Sequence, residues 1–156
     1  MGDMDTDRII TLAELPAFAA ELVEELPIDV GQEAYVMGLS GELGAGKTSL
    51  VQQIARALGV SGSVQSPTYV FAKAYSIDRA PFTRLVHMDL YRLGAEKARR
   101  DDEMASERTL GLRQYFDDPR TLVVAEWPEY LRSFPSHARM LTLTVLGEEV
   151  RQIRTH

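Results

Sequence analysis

The fold of this 156-residue chain is decided by eight consecutive residues, Gly41-Glu42-Leu43-Gly44-Ala45-Gly46-Lys47-Thr48, which match the pattern G-x-x-x-x-G-K-[S/T]. The glycines allow backbone conformations with positive φ and let an anion touch the main chain. Successive N–H groups then point into one concavity, beside the positive N-terminal end of a following helix. We call residues 41–48 the glycine loop and predict that it binds a nucleoside triphosphate, with Lys47 on the β- and γ-phosphates and Thr48 on Mg²⁺.

The segments on either side of the glycine loop fit a strand-loop-helix unit. Residues 34–39 form a short apolar run, which is typical of a buried strand. After the loop and Ser49, apolar residues recur at helical spacing from Leu50 to Leu58, and Gly59 provides a C-terminal stop. A glycine-rich turn without a ligand is the alternative, but this context favours a nucleotide site that includes Ser49.

The remaining patterns predict a complete α/β domain. An apolar stripe between Leu12 and Leu26 predicts a helix that starts near Pro16 and ends before Pro27. Strands are predicted at 68–75, 85–89 and 122–126, a helical segment at 110–116, and a closing hairpin at 140–146 and 150–153. Residues 1–156 contain no repeat or linker, so we predict one P-loop ATPase domain. Its expected fold is P-loop NTPase-like, in three layers, with a central, mainly parallel sheet and antiparallel edge strands.

Composition and charge exclude several classes of function. The chain has 17 Lys and Arg against 23 Asp and Glu, a net charge of −6, which argues against direct gripping of nucleic acid. It has no cysteine, which excludes disulfides, thiolate zinc sites and a Cys nucleophile. The first residues are acidic, and no apolar run is long enough to span a membrane. We therefore expect a cytoplasmic protein that does not bind membranes.

Two carboxylates end predicted strands, where they could bind a metal ion and orient a water molecule. Asp89 and Glu126 each end an apolar run that is predicted to be a strand. In parallel sheets, ligands bind beyond the carboxyl ends of the strands. One carboxylate would ligate Mg²⁺ and the other would orient or deprotonate the attacking water, and the pattern leaves open which does which. For either one alone, a surface acid at a strand end is the alternative.

Four further residues have both a functional and a structural interpretation. Thr68, after Ser-Pro, is either a switch hydroxyl that senses the γ-phosphate or a capping residue of a turn. His87 shares a strand face with Asp89, although a lone His of this kind is more often a core residue. The only tryptophan, Trp127, either covers the nucleotide or packs in the core. Thr11 is a candidate adenine contact.

Because no Asn-Lys-x-Asp guanine-specificity tetrad is present, ATP or ADP is favoured over GTP.

Four short motifs, taken in order, point to one protein family. They are the glycine loop, Ser66-Pro67-Thr68-Tyr69, His87-Met88-Asp89-Leu90-Tyr91-Arg92-Leu93 and Glu126-Trp127-Pro128-Glu129. The first is common to many NTPases, whereas the ordered set is specific. Over nearly its whole length the chain resembles the TsaE (YjeE) family of small P-loop ATPases. The segment between Leu93 and Leu110 is longer than we expect for that family, with 97–107 as the predicted insertion.

The resemblance implies a bacterial cytoplasmic ATPase needed to form N6-threonylcarbamoyladenosine in tRNA. It implies that the ATPase docks on two partner proteins, TsaD and TsaB, which handle the tRNA, and that its ATP cycle supports their repeated turnover. It strengthens the interpretation that Thr48 and Glu126 hold Mg²⁺, that Lys47 holds phosphates and that Asp89 supports the metal or the water.

Two other functions remain open at this stage. A small-molecule P-loop kinase would use Asp89 as the base for a substrate hydroxyl, although no arginine-rich lid is evident beyond the Arg99-Arg100 region. A nucleotide-gated binding module would have negligible turnover on its own.

Overall fold

One mixed sheet organises the part of the chain that the structure, a computed structural model, describes: residues 5–65, 71–97 and 111–156. Its seven strands are β1 (Thr6–Thr11), β2 (Tyr35–Ser40), β3 (Ala72–Arg79), β4 (Phe82–Asp89), β5 (Thr121–Glu126), β6 (Arg139–Val145) and β7 (Val150–Thr155). They lie in the order β1-β7-β6-β2-β5-β4-β3.

The direction of the strands confirms the predicted parallel centre with antiparallel edges. The four middle strands, β6-β2-β5-β4, run parallel to one another. β7 pairs antiparallel with β6 and with β1, and β3 pairs antiparallel with β4. Three of the six pairings are parallel and lie in the middle of the sheet, and the other three are antiparallel and lie toward its edges, so the sheet as a whole is mixed.

Helices and loops cover both faces of this sheet. The described helices are α1 (Leu15–Glu24), α2 (Lys47–Ala57), α3 (Tyr91–Lys97) and α4 (Arg113–Phe116). α1 and α2 pack on one face, where Leu22 and Ile54 join Leu39 in a buried cluster. Leu93 and Phe116 cover the opposite face. Successive side chains of a strand point to opposite faces, and β2 and β5 are buried at nearly every position, as expected for strands that are covered on both sides of the sheet.

The start of α1 agrees with its sequence signals. Pro16 lies in the first turn of α1, where its missing N–H costs no hydrogen bond. A 3-10 turn, Leu12–Glu14, precedes the helix. The Thr11 N–H donates to Glu14 Oε2 at 2.7 Å, one half of a capping box.

The main differences from the predicted elements are at the two edges of the sheet. β1 was not predicted, because it is exposed at nearly every position and carries no alternation. β3 begins at Ala72 and extends to Arg79, and β4 begins at Phe82, so the two form a hairpin that the sequence patterns did not predict. α4 is shorter than the predicted 110–116 segment.

Some predictions lie outside the described residues. These include the Thr68 switch and the first part of the predicted 68–75 strand, and almost all of the 97–107 insertion. In the described part of the chain, no helix is long and apolar enough to cross a membrane.

A matched pair of isoleucines tests the packing of α2 on the sheet. Ile54→Ala should lower the free energy of unfolding by about 2–5 kcal/mol, because it removes buried methyl groups and leaves a cavity. Ile54 is fully buried, whereas Ile28 is 82% exposed. Ile28→Ala should therefore change the free energy of unfolding by less than about 0.5 kcal/mol. Urea denaturation measures both, and equal losses would contradict this packing.

Candidate nucleotide site

A cleft lies at the carboxyl ends of the middle strands, below the glycine loop. β2 runs directly into this loop, and Glu126 at the end of β5 is in register with Leu39 of β2 and with Asp89 of β4. The cleft has a volume of about 310 Å³ and is lined by Leu43, Gly44, Gly46, Lys47, Thr48, Ser49, Asp89, Tyr91, Glu126 and Trp127. All of these except Tyr91 were candidate site residues from the sequence.

The backbone of the glycine loop takes conformations that favour glycine. Gly41, Gly44 and Gly46 have φ values of 146°, 80° and 105°. A Cβ atom on Gly41 would lie only 2.4 Å from the carbonyl oxygen of Leu143, whereas one on Gly44 would meet open space. The start of the loop is therefore seated directly on β6, and its tip is not.

Lys47 begins α2 and turns its ammonium back into the loop. Its Nζ donates to the carbonyl oxygens of Gly41 and Glu42, the latter at 2.9 Å, and lies 4.0 Å from the centre of the Trp127 ring. Burial lowers the pKa of Lys47, and nearby carboxylates, Glu126 first among them, oppose that shift. The loop carbonyls and the indole thus compensate a cation that is only 5% exposed.

A chain of two short hydrogen bonds joins α2 to the sheet. The Thr48 hydroxyl donates to Glu126 Oε1 at 2.7 Å, and His87 Nε2 lies 2.6 Å from Glu126 Oε2. In the tautomer with the proton on Nε2, the imidazole donates to this carboxylate oxygen. Both Glu126 and His87 are buried, and the described residues offer no hydrogen-bond partner to His87 Nδ1. The hydroxyl and the carboxylate together present hard oxygen atoms to the cleft.

Asp89 occupies the neighbouring strand end but has a different environment. Its Oδ1 accepts the Tyr91 N–H at 3.1 Å, which turns the chain into α3. It is half-buried, whereas Glu126 is nearly inaccessible to solvent. The two carboxylates, which the strand-end pattern alone did not distinguish, are therefore distinct here, because Glu126 is buried against Thr48 and Asp89 is more exposed.

Trp127 forms the aromatic wall of the cleft. It has a φ of 59°, a left-handed conformation that is costly for a residue other than glycine. Its backbone N–H donates to the backbone oxygen of Leu39 at 3.1 Å. Its ring stacks on Tyr130 with centroids 5.5 Å apart, and Tyr91 packs beside it at 5.1 Å. These contacts hold the indole over Lys47.

Other candidate residues are placed differently. The backbones of Gly41, Glu42 and Ala45 belong to the glycine loop but do not line the cleft. Thr11 bonds to Glu14 at the end of β1 and is not on the cleft wall, so its predicted adenine contact has no support from the cleft.

Two residues near the site were missed by sequence reasoning. Tyr91 follows the Asp89 strand end, and its aromatic neighbours come from a distant segment. Arg151 bonds to the glycine loop from β7. Its signal was available, because alternation along the predicted strand places it on the same face as the buried Ile153.

Among the described residues there is no group of three or more His, Asp or Glu side chains that could hold a metal ion by itself.

Several known proteins are similar to this chain in sequence. The family model for "Threonylcarbamoyl adenosine biosynthesis protein TsaE" matches residues 10–154. The chain is 36% identical to the tRNA threonylcarbamoyladenosine biosynthesis protein TsaE of Synechocystis over 74% of its own length and 65% of the relative's. It is 33% identical to the Bacillus subtilis TsaE protein over 76% of its length and 66% of that protein. The matched part therefore spans slightly under two thirds of these relatives.

The fold also matches a solved structure. The crystal structure of YdiB from Bacillus subtilis superposes with a TM-score of 0.65 at 21% sequence identity, over 99% of this chain and 87% of that one. At this level of identity the likeness concerns the fold alone, a mixed α/β sheet with few helices.

Two glycines of the loop provide a matched test of its seating. Gly41→Ala should lower the free energy of unfolding by about 2–5 kcal/mol, because it combines backbone strain with a clash against the Leu143 carbonyl. Gly44→Ala adds strain but no clash, so its expected cost is about 1–2 kcal/mol. Urea denaturation gives both values, and an equal or larger loss for Gly44→Ala would contradict the described loop.

Proposed function

The chain belongs to the TsaE family, and we propose that it is the ATP-binding and ATP-hydrolysing subunit required to form N6-threonylcarbamoyladenosine in tRNA. The observation that carries the proposal is the glycine loop above the Thr48–Glu126 contact. It combines a phosphate-binding backbone with a hydroxyl and a carboxylate at one edge of the sheet. In this proposal the domain is P-loop NTPase-like and ATP or ADP is its nucleotide.

The loop supports phosphate binding through its backbone and through Lys47. Peptide N–H groups and the N-terminal end of α2 favour an anion at the cleft. The Lys47 ammonium now bonds to two loop carbonyls, and phosphate oxygens would replace these with stronger, charge-assisted hydrogen bonds. Trp127 would form the wall beside the phosphates.

The oxygen ligands fit Mg²⁺. This ion keeps several waters and usually takes one or two protein ligands together with phosphate oxygens, so the Thr48 hydroxyl and the Glu126 carboxylate suffice. When bound, Mg²⁺ would neutralise part of the charge that the phosphates carry. His87 contacts one oxygen of the Glu126 carboxylate and so holds the other oxygen against Thr48. Asp89, the more exposed of the two carboxylates, would orient the attacking water or support the metal.

The overall charge supports a role within an assembly. With a net charge of −6, the chain is poorly suited to grip tRNA directly. We propose that it meets tRNA only through a complex of TsaD and TsaB, whose repeated turnover its ATP cycle supports, and that hydrolysis by the isolated chain is weak. The proposed location is the cytoplasm.

Nucleotide binding can be tested with two lysines that both lie near aromatic rings. Lys47→Ala should weaken ATP binding, measured by titration calorimetry, by about a hundredfold, since charge-assisted bonds to phosphate are lost. Lys73, whose Nζ lies 5.5 Å from the Tyr75 ring on the surface of β3, provides the control. Lys73→Ala should bind ATP like the original chain. Equal affinity in all three proteins would contradict the assignment of the glycine loop.

The role in the assembly can be tested by phosphate release with purified TsaD and TsaB. We expect the rate to rise when the complex is added, to require Mg²⁺, and to fall to background with Lys47→Ala. Repeated formation of the modified nucleoside should require the chain. An unchanged rate, together with repeated turnover in its absence, would refute the proposal. ADP formation that depends on a small-molecule acceptor, which becomes phosphorylated, would instead indicate a kinase.

A further inference from the structure

Arg151 is a buried cation at a position where the strand pattern calls for an apolar side chain. It lies on β7 two residues before Ile153, so the two side chains share the face that α1 and α2 cover. Only 7% of the residue is exposed. Its guanidinium reaches past the neighbouring strand β6, on which the glycine loop is seated at Leu143.

Within the described part of the chain, Arg151 donates its hydrogen bonds to backbone carbonyls. Nε donates to the Ala45 oxygen at 2.9 Å and Nη2 to the Gly44 oxygen at 3.3 Å. Nη1 donates within the β6–β7 turn, to the carbonyls of Gly147, Glu148 and Val150 at 2.9, 3.3 and 3.0 Å. One guanidinium thus ties the glycine loop to the β6–β7 turn.

We propose that Arg151 is a positioning residue that holds the glycine loop in its anion-binding conformation, an inference that rests on the proposed function. In a trans peptide the carbonyl and the next N–H point in opposite directions. Holding the Ala45 carbonyl therefore directs the Gly46 N–H away from Arg151, toward the cleft that Gly46 lines. Holding the Gly44 carbonyl likewise orients the Ala45 N–H, which closes the loop onto the Glu42 oxygen at 3.1 Å.

The positive charge of Arg151 also favours the binding of an anion at the glycine loop. In the described part of the chain, no carboxylate lies within ion-pair distance of its guanidinium, which is compensated by carbonyl dipoles alone. A positive charge behind the loop and without a paired carboxylate attracts an anion on the opposite side of the loop, and burial reduces its screening by salt. Arginine suits this position because its planar fork spans two successive carbonyls, which a lysine ammonium cannot do in the same geometry.

The test compares Arg151→Met with Arg154→Met. Arg154 lies on the same strand, but it is half exposed and bonds to Asp7, away from the loop. Without nucleotide, hydrogen exchange at the amides of residues 42–46 should become faster in Arg151→Met, while exchange in the central strand β5 stays unchanged. ADP binding, measured by calorimetry with Mg²⁺, should weaken by about ten- to a hundredfold. Arg151→Lys should fall between, and Arg154→Met should match the original chain.

The outcomes separate this inference from the proposed function. If the original chain binds no ADP, the proposed function is wrong, and the exchange measurement alone still decides the role of Arg151. Unchanged loop exchange in a folded Arg151→Met would overturn the inference. If Arg151→Met does not fold, Arg151→Lys decides in its place. Faster loop exchange in a folded Arg151→Lys supports the inference, and unchanged exchange or loss of the fold overturns it.

Discussion

The site depends on one buried carboxylate. Glu126 ends the central strand β5, and its two oxygens are bonded to the Thr48 hydroxyl at 2.7 Å and to His87 at 2.6 Å. A carboxylate buried without such partners would be costly, so the start of α2 and the end of β4 are both held against β5. The position of α2 in turn determines where the glycine loop can lie. The same contact that stabilises the packing therefore brings the polar groups of the cleft together.

Much of the fold could be predicted because its signals are local. The glycine loop, the apolar run before it and the helical spacing from Leu50 to Leu58 lie within 25 residues of one another. Elements whose stability comes from distant partners were missed. β1 is exposed along most of its length and exists because it pairs with β7, more than a hundred residues away. No pattern within β1 reports on that partner.

The residues of the site show the same difference between local sequence signals and contacts with distant partners. Asp89 and Glu126 could be placed at the cleft, because a carboxylate at the end of an apolar run is visible in the sequence. The strand-end pattern alone did not indicate which of them meets Thr48, since that depends on how α2 crosses the sheet, and only the family resemblance pointed to Glu126. Arg151 was missed because its partners are carbonyl oxygens, which every residue has and no motif records. The switch role of Thr68 stays a prediction.

The position of the Trp127 ring beside Lys47 has an optical consequence. This left-handed residue is the only tryptophan of the chain, and its ring lies 4.0 Å from the Lys47 ammonium. The emission wavelength of an indole responds to the electric field across its ring. If the ammonium moves from the ring to an anion in the cleft, the field changes at this one chromophore. The intrinsic fluorescence of this single tryptophan can therefore report whether the cleft is occupied, without a label and without a signal from a second tryptophan.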